Sequence, residues 1–202
     1  FQLTVTSQSI ESENGDVAST VNTIQIDLEG VSDAPILTTT DALGDEDAPI
    51  ALDIRPAVSD VDGSESILEV VIDAIPSGAQ VGTLDSGSGV FTAITPNADG
   101  TVTIPAADIG DAALLAPPDS DGDFTLELTT TSVEAGSGDT SQTTGTLDVS
   151  VDAVADQASI TTSAAVGTED SPSVALDVSA SLVDADGSAV SYTHLRAHET
   201  SI

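Results

Sequence analysis

An internal repeat is the feature that most constrains the fold of this chain. Phe1–Pro49 overlays Phe124–Pro172 without a gap, at an offset of 123 residues. One inserted residue then moves the offset to 124, so that Asp60-Val-Asp-Gly-Ser meets Asp184-Ala-Asp-Gly-Ser. Self-similarity at a fixed period is typical of tandem repeats. The sequence therefore predicts a segment of a tandem array.

The repeat divides the chain into units. Residues 1–30 are predicted to be the C-terminal strands of a truncated unit, residues 31–153 a complete unit, and residues 154–190 the N-terminal part of a third. The partial units lack the strands that would complete them. We therefore expect exposed apolar surface on both.

The last twelve residues, 191–202, break the pattern. They hold both histidines and the single tyrosine, where the repeat requires a long strand rich in β-branched residues. This segment resembles a translated sequencing-adapter tail and is predicted to be non-native, with a divergent third unit as the alternative. No function is assigned to His194 or His198, whose spacing suits a metal site only on a helix.

The complete unit is predicted to be all-β. Phe124–Val133 and Gln142–Asp152 alternate apolar and polar residues around a glycine-containing turn, which is typical of a β-hairpin. Val90–Thr95 and Thr101–Ile104 predict a second hairpin, and Ile67–Ile75 predicts a central strand. Short strands at this density favour tandem Greek-key β-sandwiches of the immunoglobulin or cadherin type, one complete unit flanked by two partial ones.

Charge and composition exclude several functions. The chain has 2 basic and 35 acidic residues, a net charge of −33, and no lysine. It therefore cannot bind nucleic acid or an acidic membrane surface through cationic side chains, and no apolar run is long enough for membrane insertion. The absence of cysteine removes disulfides and thiolate metal sites.

An enzymatic function is also disfavoured. Paired carboxylates could serve glycoside hydrolysis, but sugar clefts usually need aromatic platforms, and the chain has no tryptophan and one tyrosine. Ser-His-Asp catalysis fails because the only histidines lie in residues 191–202. Arg55 is expected to pair with a nearby carboxylate. We predict that the protein is not an enzyme.

The carboxylates are grouped in loops between the predicted strands. Several carboxylates within a few ångströms repel one another unless a cation neutralises them, and hard oxygen ligands in such loops suit Ca²⁺. Solvated acidic loops are the alternative. The candidate ligands are Asp33, Glu46, Asp47, Asp60 and Asp62 in the complete unit, Asp156, Glu169, Asp170, Asp184 and Asp186 in the next, and a further cluster of Asp119, Asp121 and Asp123.

Two features qualify this prediction. The segment that starts at Asp119 begins like an EF-hand loop, but its sixth residue is Phe124 and its twelfth is Thr130, so it is not one. If the loops that carry Glu46 and Asp60 lie at the same end of the sandwich, their oxygens converge at the unit boundary.

These motifs together resemble a known family. Val-Ser-Asp-Ala-Pro at a junction, Gly-Asp-Glu-Asp-Ala-Pro-Ile, Ser-Asp-Val-Asp-Gly-Ser and Pro-Pro-Asp-Ser-Asp-Gly-Asp-Phe are similar to the cadherin-like tandem repeats of giant bacterial adhesins of the repeat-in-toxin group, which type I secretion exports. The resemblance covers residues 1–190. It departs at Ala158, where the first junction has Pro35, and at Ala189, where the first unit has Glu65.

The resemblance implies an extracellular role at the bacterial cell surface. Such units are extenders in adhesion and biofilm formation, with Ca²⁺ stiffening the junctions, neighbouring repeats as partners, and the surface or host ligand bound elsewhere in the parent protein. Carried over by position, it implies as ligands Asp33, Glu46, Asp60 and Asp62, then Asp156, Glu169, Asp184 and Asp186. A carbohydrate- or receptor-binding module and a spacer in a large secreted hydrolase are the alternatives.

Overall fold

The computed structural model describes residues 1–60, 63–182 and 190–194. Within them every regular element except one is a β-strand. The strands are β1 (Gln2–Ile10), β2 (Val17–Gln25), β3 (Ile36–Thr40), β4 (Ala42–Asp45), β5 (Pro49–Ala51), β6 (Asp53–Ala57), β7 (Glu65–Asp73), β8 (Gln80–Leu84), β9 (Phe91–Ala93), β10 (Val102–Pro105), β11 (Ala112–Leu115), β12 (Phe124–Glu134), β13 (Thr140–Asp152), β14 (Ser159–Thr162) and β15 (Val178–Ser181). The exception is a 3₁₀ helix at Ala106–Asp111. The all-β prediction is confirmed.

Two sheets form the central unit. One has five strands in the order β10-β7-β12-β13-β4, and the other has four in the order β5-β11-β8-β9. Strands β3 and β6 form a separate antiparallel pair. All pairings are antiparallel except that of β4 with β13.

An aliphatic core lies between the two sheets. The five-stranded sheet contributes Val70, Ile72, Leu126 and Leu128, and the four-stranded sheet contributes Ile50, Val81 and Leu114. Along β13 and the first half of β12, buried side chains alternate with more exposed ones, as expected of a sheet with one buried face. The arrangement is consistent with the predicted β-sandwich, and the Greek-key connectivity stays a prediction.

The strand predictions have different outcomes. Strands β12 and β13 pair as a hairpin, and β7 is flanked on both sides by β10 and β12, so the first hairpin and the central strand are confirmed. The second hairpin is wrong, because β9 pairs with β8 while β10 pairs with β7 in the other sheet. Its turn does form, with the Asn97 amide donating to the Thr101 carbonyl at 2.8 Å. Alternation gives a strand a face to bury but does not choose its neighbour.

The flanking segments reproduce pairings of the central unit. Hairpin β1–β2 pairs Ile10 with Val17, the equivalents of Val133 and Thr140 in β12–β13. Strands β14 and β15 likewise repeat the register of β3 and β6. Every residue of these four flanking strands is exposed, which agrees with the exposed apolar surface expected there.

The strand directions define two ends of the central unit. We call the end that holds the start of β7, the β12–β13 turn and residues 30–35 the leading end. Residues 30–35 are called the leading junction. The trailing end holds the β4–β5 loop, the 116–123 loop and residues 152–158, the trailing junction. Glu46 and Asp60 therefore lie at opposite ends, since β4 ends beside the last residues of β13 and β7 starts beside the end of β12. Their carboxylates do not converge within one unit.

Candidate functional site

A buried glutamate holds the trailing junction against the central unit. Glu46 follows β4, where the parallel pairing with β13 brings Asp45 beside Asp152, and its own amide donates to the Asp152 carbonyl at 2.9 Å. Its side chain is only 2% exposed. Oε1 of Glu46 accepts the backbone amide of Val154 at 2.6 Å, so this carboxylate fixes the chain just after β13 ends.

Three aspartates from three segments converge beside it. Asp47 lies in the β4–β5 loop, Asp119 in the loop before β12, and Asp156 in the trailing junction, and one carboxylate oxygen from each lies within 4.8 Å of the other two. We call these residues the acidic triad. The Asp119 amide donates to Oδ1 of Asp47 at 3.4 Å, which links the two loops directly.

The backbone at two triad positions is unusual. Asp47 has φ of 59° and Asp119 has φ of 52°, the left-handed region that aspartate tolerates better than most residues but that still costs energy. The fold holds both loops in this conformation. Side chains so placed, open to solvent and rich in oxygen, could bind a hard divalent cation. Among the described residues, no other group of three acidic or histidine side chains meets this spacing.

The rest of the Asp119 cluster does not join the triad. Oδ1 of Asp123 accepts the amide of Val151 at 3.0 Å and so braces β13, and Asp121 is exposed. One member of the predicted cluster is therefore placed as a possible ligand, and the other two are not.

The leading end places Asp33 in a different role. Its backbone amide donates to Oε1 of Glu65, and its carbonyl accepts the hydroxyl of Ser132 at 2.7 Å, while its side chain is exposed. Asp60 is half-buried at the same end. Asp62 lies outside the described residues.

Of the predicted ligands of the third unit, Asp156 joins the triad, and the other described ones join no such group. Glu169 and Asp170 are exposed, and neither belongs to a group of three potential ligands among the described residues. Asp184 and Asp186 lie outside the described residues, as does His198. His194 is exposed and joins no such group.

Comparisons with known proteins give no family. The sequence matches no protein-family model, and it matches no curated protein. The geometry of the site therefore carries the functional argument. Among the described residues no helix is long and apolar enough to cross a membrane.

The single arginine of the described residues is hydrogen-bonded to an aspartate outside the acidic triad. Arg55 donates from Nε and Nη2 to the two carboxylate oxygens of Asp53, at 2.6 and 2.9 Å, as expected from the sequence. This hydrogen-bonded guanidinium lowers the pKa of Asp53.

Two buried glutamates were not predicted from the sequence as site residues. Glu65 is 8% exposed and Glu134 is 5% exposed, and the two lie directly opposite each other on β7 and β12. The repeat contained a signal, because Glu134 matches Glu11 and both make the same turn hydrogen bonds, from their amides to the carbonyls of Asp139 and Asp16. For Glu65 the sequence contained no such signal, because the burial of its side chain depends on a bulge in β7.

Proposed function

We propose that this protein is a structural extender, part of a secreted bacterial cell-surface adhesin, whose trailing joint is stiffened by Ca²⁺. The observation that carries the proposal is the acidic triad. It combines two loops of the central unit, through Asp47 and Asp119, with Asp156 of the trailing junction. A cation bound there ties the junction to the unit that precedes it.

Electrostatics favour a cation at the triad. Three carboxylates within 4.8 Å repel one another, and the charge of −33 on the whole chain adds to that repulsion. Ca²⁺ takes six to eight oxygen ligands and tolerates irregular geometry. Water completes a coordination shell that three exposed or half-buried side chains leave open.

The contact from Glu46 supports the same role. Its buried carboxylate already restrains Val154, two residues before Asp156. A cation at the triad adds a second point of attachment further along the junction. Two successive restraints convert a flexible connection into a fixed one.

Mass action gives the size of the effect. Extracellular calcium modules bind with Kd values of about 10⁻⁴ M, so in about 1 to 10 mM Ca²⁺ each site stabilises the folded form by roughly 1.4 to 2.7 kcal/mol. A small domain has about 5 to 15 kcal/mol in all. The chain is therefore looser in a calcium-poor cytosol and more rigid after export.

The test measures the joint directly in the full chain. The absence of cysteine allows a spin-label pair to be placed by Ser150→Cys on β13 and Thr161→Cys on β14, both at exposed positions. Electron–electron distance measurements should give a broad distribution in EDTA and a narrow one in about 5 mM Ca²⁺. Asp119→Asn should keep the distribution broad in Ca²⁺.

Asp121→Asn is the matched control, because Asp121 lies in the same loop but outside the triad. In this variant the distance distribution should narrow in Ca²⁺, as it does in the parent chain. Calcium binding, seen by calorimetry, without any narrowing would contradict the extender and favour a ligand-binding module. No calcium binding at all would reject both.

A further inference from the structure

A pair of buried carboxylates at the leading end is not used by the triad. Leu126, Leu128 and the other inward-facing residues of β12 alternate regularly, but β7 changes its inward face at a bulge opposite Thr131 and Ser132. Before the bulge Ile67 and Glu65 are turned toward the core side, and after it Val70 and Ile72 are. An extra residue on one strand reverses the alternation in this way.

The bulge therefore sets two glutamates face to face. Glu65 and Glu134 are cross-strand partners, and directly opposite side chains on one face have Cβ atoms about 4.5 to 5.5 Å apart. Both are more than nine-tenths buried. Like charges directly opposite each other destabilise a sheet, and buried charges without a counter-charge cost several kcal/mol each.

The hydrogen bonds of the pair leave one oxygen unused. Oε2 of Glu134 accepts the hydroxyl of Ser64 at 2.9 Å, and Oε1 of Glu65 accepts the Asp33 amide. Oε2 of Glu65 is buried and has no hydrogen-bond partner among the described residues. A buried carboxylate oxygen without a donor destabilises the fold. A bound ligand at this position would remove that cost.

The leading junction covers this pair closely. A Cβ atom at Gly30 would lie 2.6 Å from Oε1 of Glu134, so the junction backbone runs directly over that carboxylate. The Ser137 hydroxyl holds the Gly30 carbonyl at 2.7 Å. The junction backbone thus contacts both buried carboxylates, Glu134 beside Gly30 and Glu65 through the Asp33 amide. The one arginine of the described residues is engaged with Asp53.

We propose that Glu65 and Glu134 bind a second hard divalent cation of the Ca²⁺ class at the leading end, separate from the acidic triad. The two carboxylates supply the negative ligands, and backbone carbonyls or water complete the oxygen shell that such an ion requires. The ion neutralises the pair and gives Oε2 of Glu65 a partner. This site does not depend on the extender role, because its ligands belong to the body of one unit.

Calcium calorimetry and thermal unfolding of the full chain test the site. The triad is first disabled by Asp119→Asn, and that chain should still bind Ca²⁺ and gain roughly 4 to 10 °C in Tm. Adding Glu65→Gln and Glu134→Gln should abolish both the remaining heat and the gain. In EDTA, Glu65→Gln alone should raise Tm, because it removes the repulsion.

Glu127→Gln is the control, since Glu127 is an exposed glutamate on β12. It should leave the calcium response of the Asp119→Asn chain unchanged. Should the triple variant fail to fold, the single Glu65→Gln chain in the same background gives the same comparison. An equal calcium heat and an equal Tm gain with and without the two glutamates would overturn the site and leave a buried pair that binds no cation. That result leaves the triad and the extender untouched.

Discussion

At the scale of single residues, identical side chains take different roles because the backbone presents them differently. Asp119, Asp121 and Asp123 share one loop, yet the first joins the triad, the second is exposed, and the third accepts a backbone amide of β13. Asp119 has a positive φ, and its backbone amide donates to Asp47. Charge alone did not distinguish the three.

A buried hydroxyl predicts a stabilising substitution. Thr130 is fully buried on β12 opposite Val70, and its Oγ1 has no hydrogen-bond partner among the described residues. Thr130→Val keeps the shape and removes the unsatisfied polar atom, so it should raise the free energy of unfolding by about 1 kcal/mol. Urea denaturation measures this change.

The neighbouring threonine provides the control. Oγ1 of Thr131 accepts the side-chain amide of Gln142 at 3.2 Å, so Thr131→Val loses a hydrogen bond and should give no gain. A loss of stability in Thr130→Val would show that its hydroxyl has a partner in solution.

The pH response of one turn also follows from single residues. The amides of Ser88 and Gly87 both donate to Oδ1 of Asp85 at 2.8 Å, and these hydrogen bonds lower the pKa of Asp85. A lowered pKa means that the ionised carboxylate stabilises the turn fully above the ordinary aspartate value of about 3.9. That stabilisation is lost as the pH falls through the lowered pKa. Carbon-detected NMR titration of Asp85 should find the shift, and a pKa at or above the ordinary value would contradict the turn.

At the scale of elements, strand pairing is repeated between units, whereas a local irregularity in a strand determines which side chains are buried together. Hairpins β1–β2 and β12–β13 share their register residue for residue, so the strand pairing belongs to the sequence pattern. The bulge between β7 and β12, in contrast, does not follow from the alternating sequence pattern. It turns Glu65 inward, where simple alternation from Val70 would have placed Ser66.

Close contact between two strands makes one glycine irreplaceable. A Cβ atom at Gly82 on β8 would lie 2.1 Å from the Thr92 carbonyl oxygen on β9, and backbone atoms cannot move aside cheaply. Gly82→Ala should cost about 2 to 4 kcal/mol and loosen the edge of the four-stranded sheet. Gly110→Ala, where a Cβ meets nothing within 4 Å, should be close to neutral. Equal denaturation midpoints for the two variants would contradict the β8–β9 pairing.

At the scale of the whole molecule, self-repulsion opposes a modest core. The chain carries a net charge of −33, and the side chains that bury are aliphatic residues of moderate size. Electrostatic repulsion of this kind favours expansion and weakens as salt screens it.

Salt should therefore stabilise the calcium-free chain. Raising sodium chloride from about 0.01 M to 1 M shortens the Debye length from about 30 Å to about 3 Å, which should raise Tm in EDTA. Tetramethylammonium chloride should act alike, because screening depends on ionic strength and not on a bound ion. A Tm that falls with salt would mean that attractive pairs outweigh the repulsion.

The sequence by itself determined the all-β class, the repeat and the β12–β13 hairpin, because apolar alternation and turn residues are local properties. It also indicated the acidic loops, including Asp47, Asp119 and Asp156, because charge is read directly from composition. Only the tertiary structure decided which carboxylates meet. Asp47 and Asp119 are distant in sequence. They become neighbours because β4 and the start of β12 both lie beside the end of β13, whereas Asp33 and Asp60 lie at the other end. Burial of Glu65 likewise depended on one bulge. Apolar residues occupy both faces of β7, so its sequence does not show where the alternation reverses.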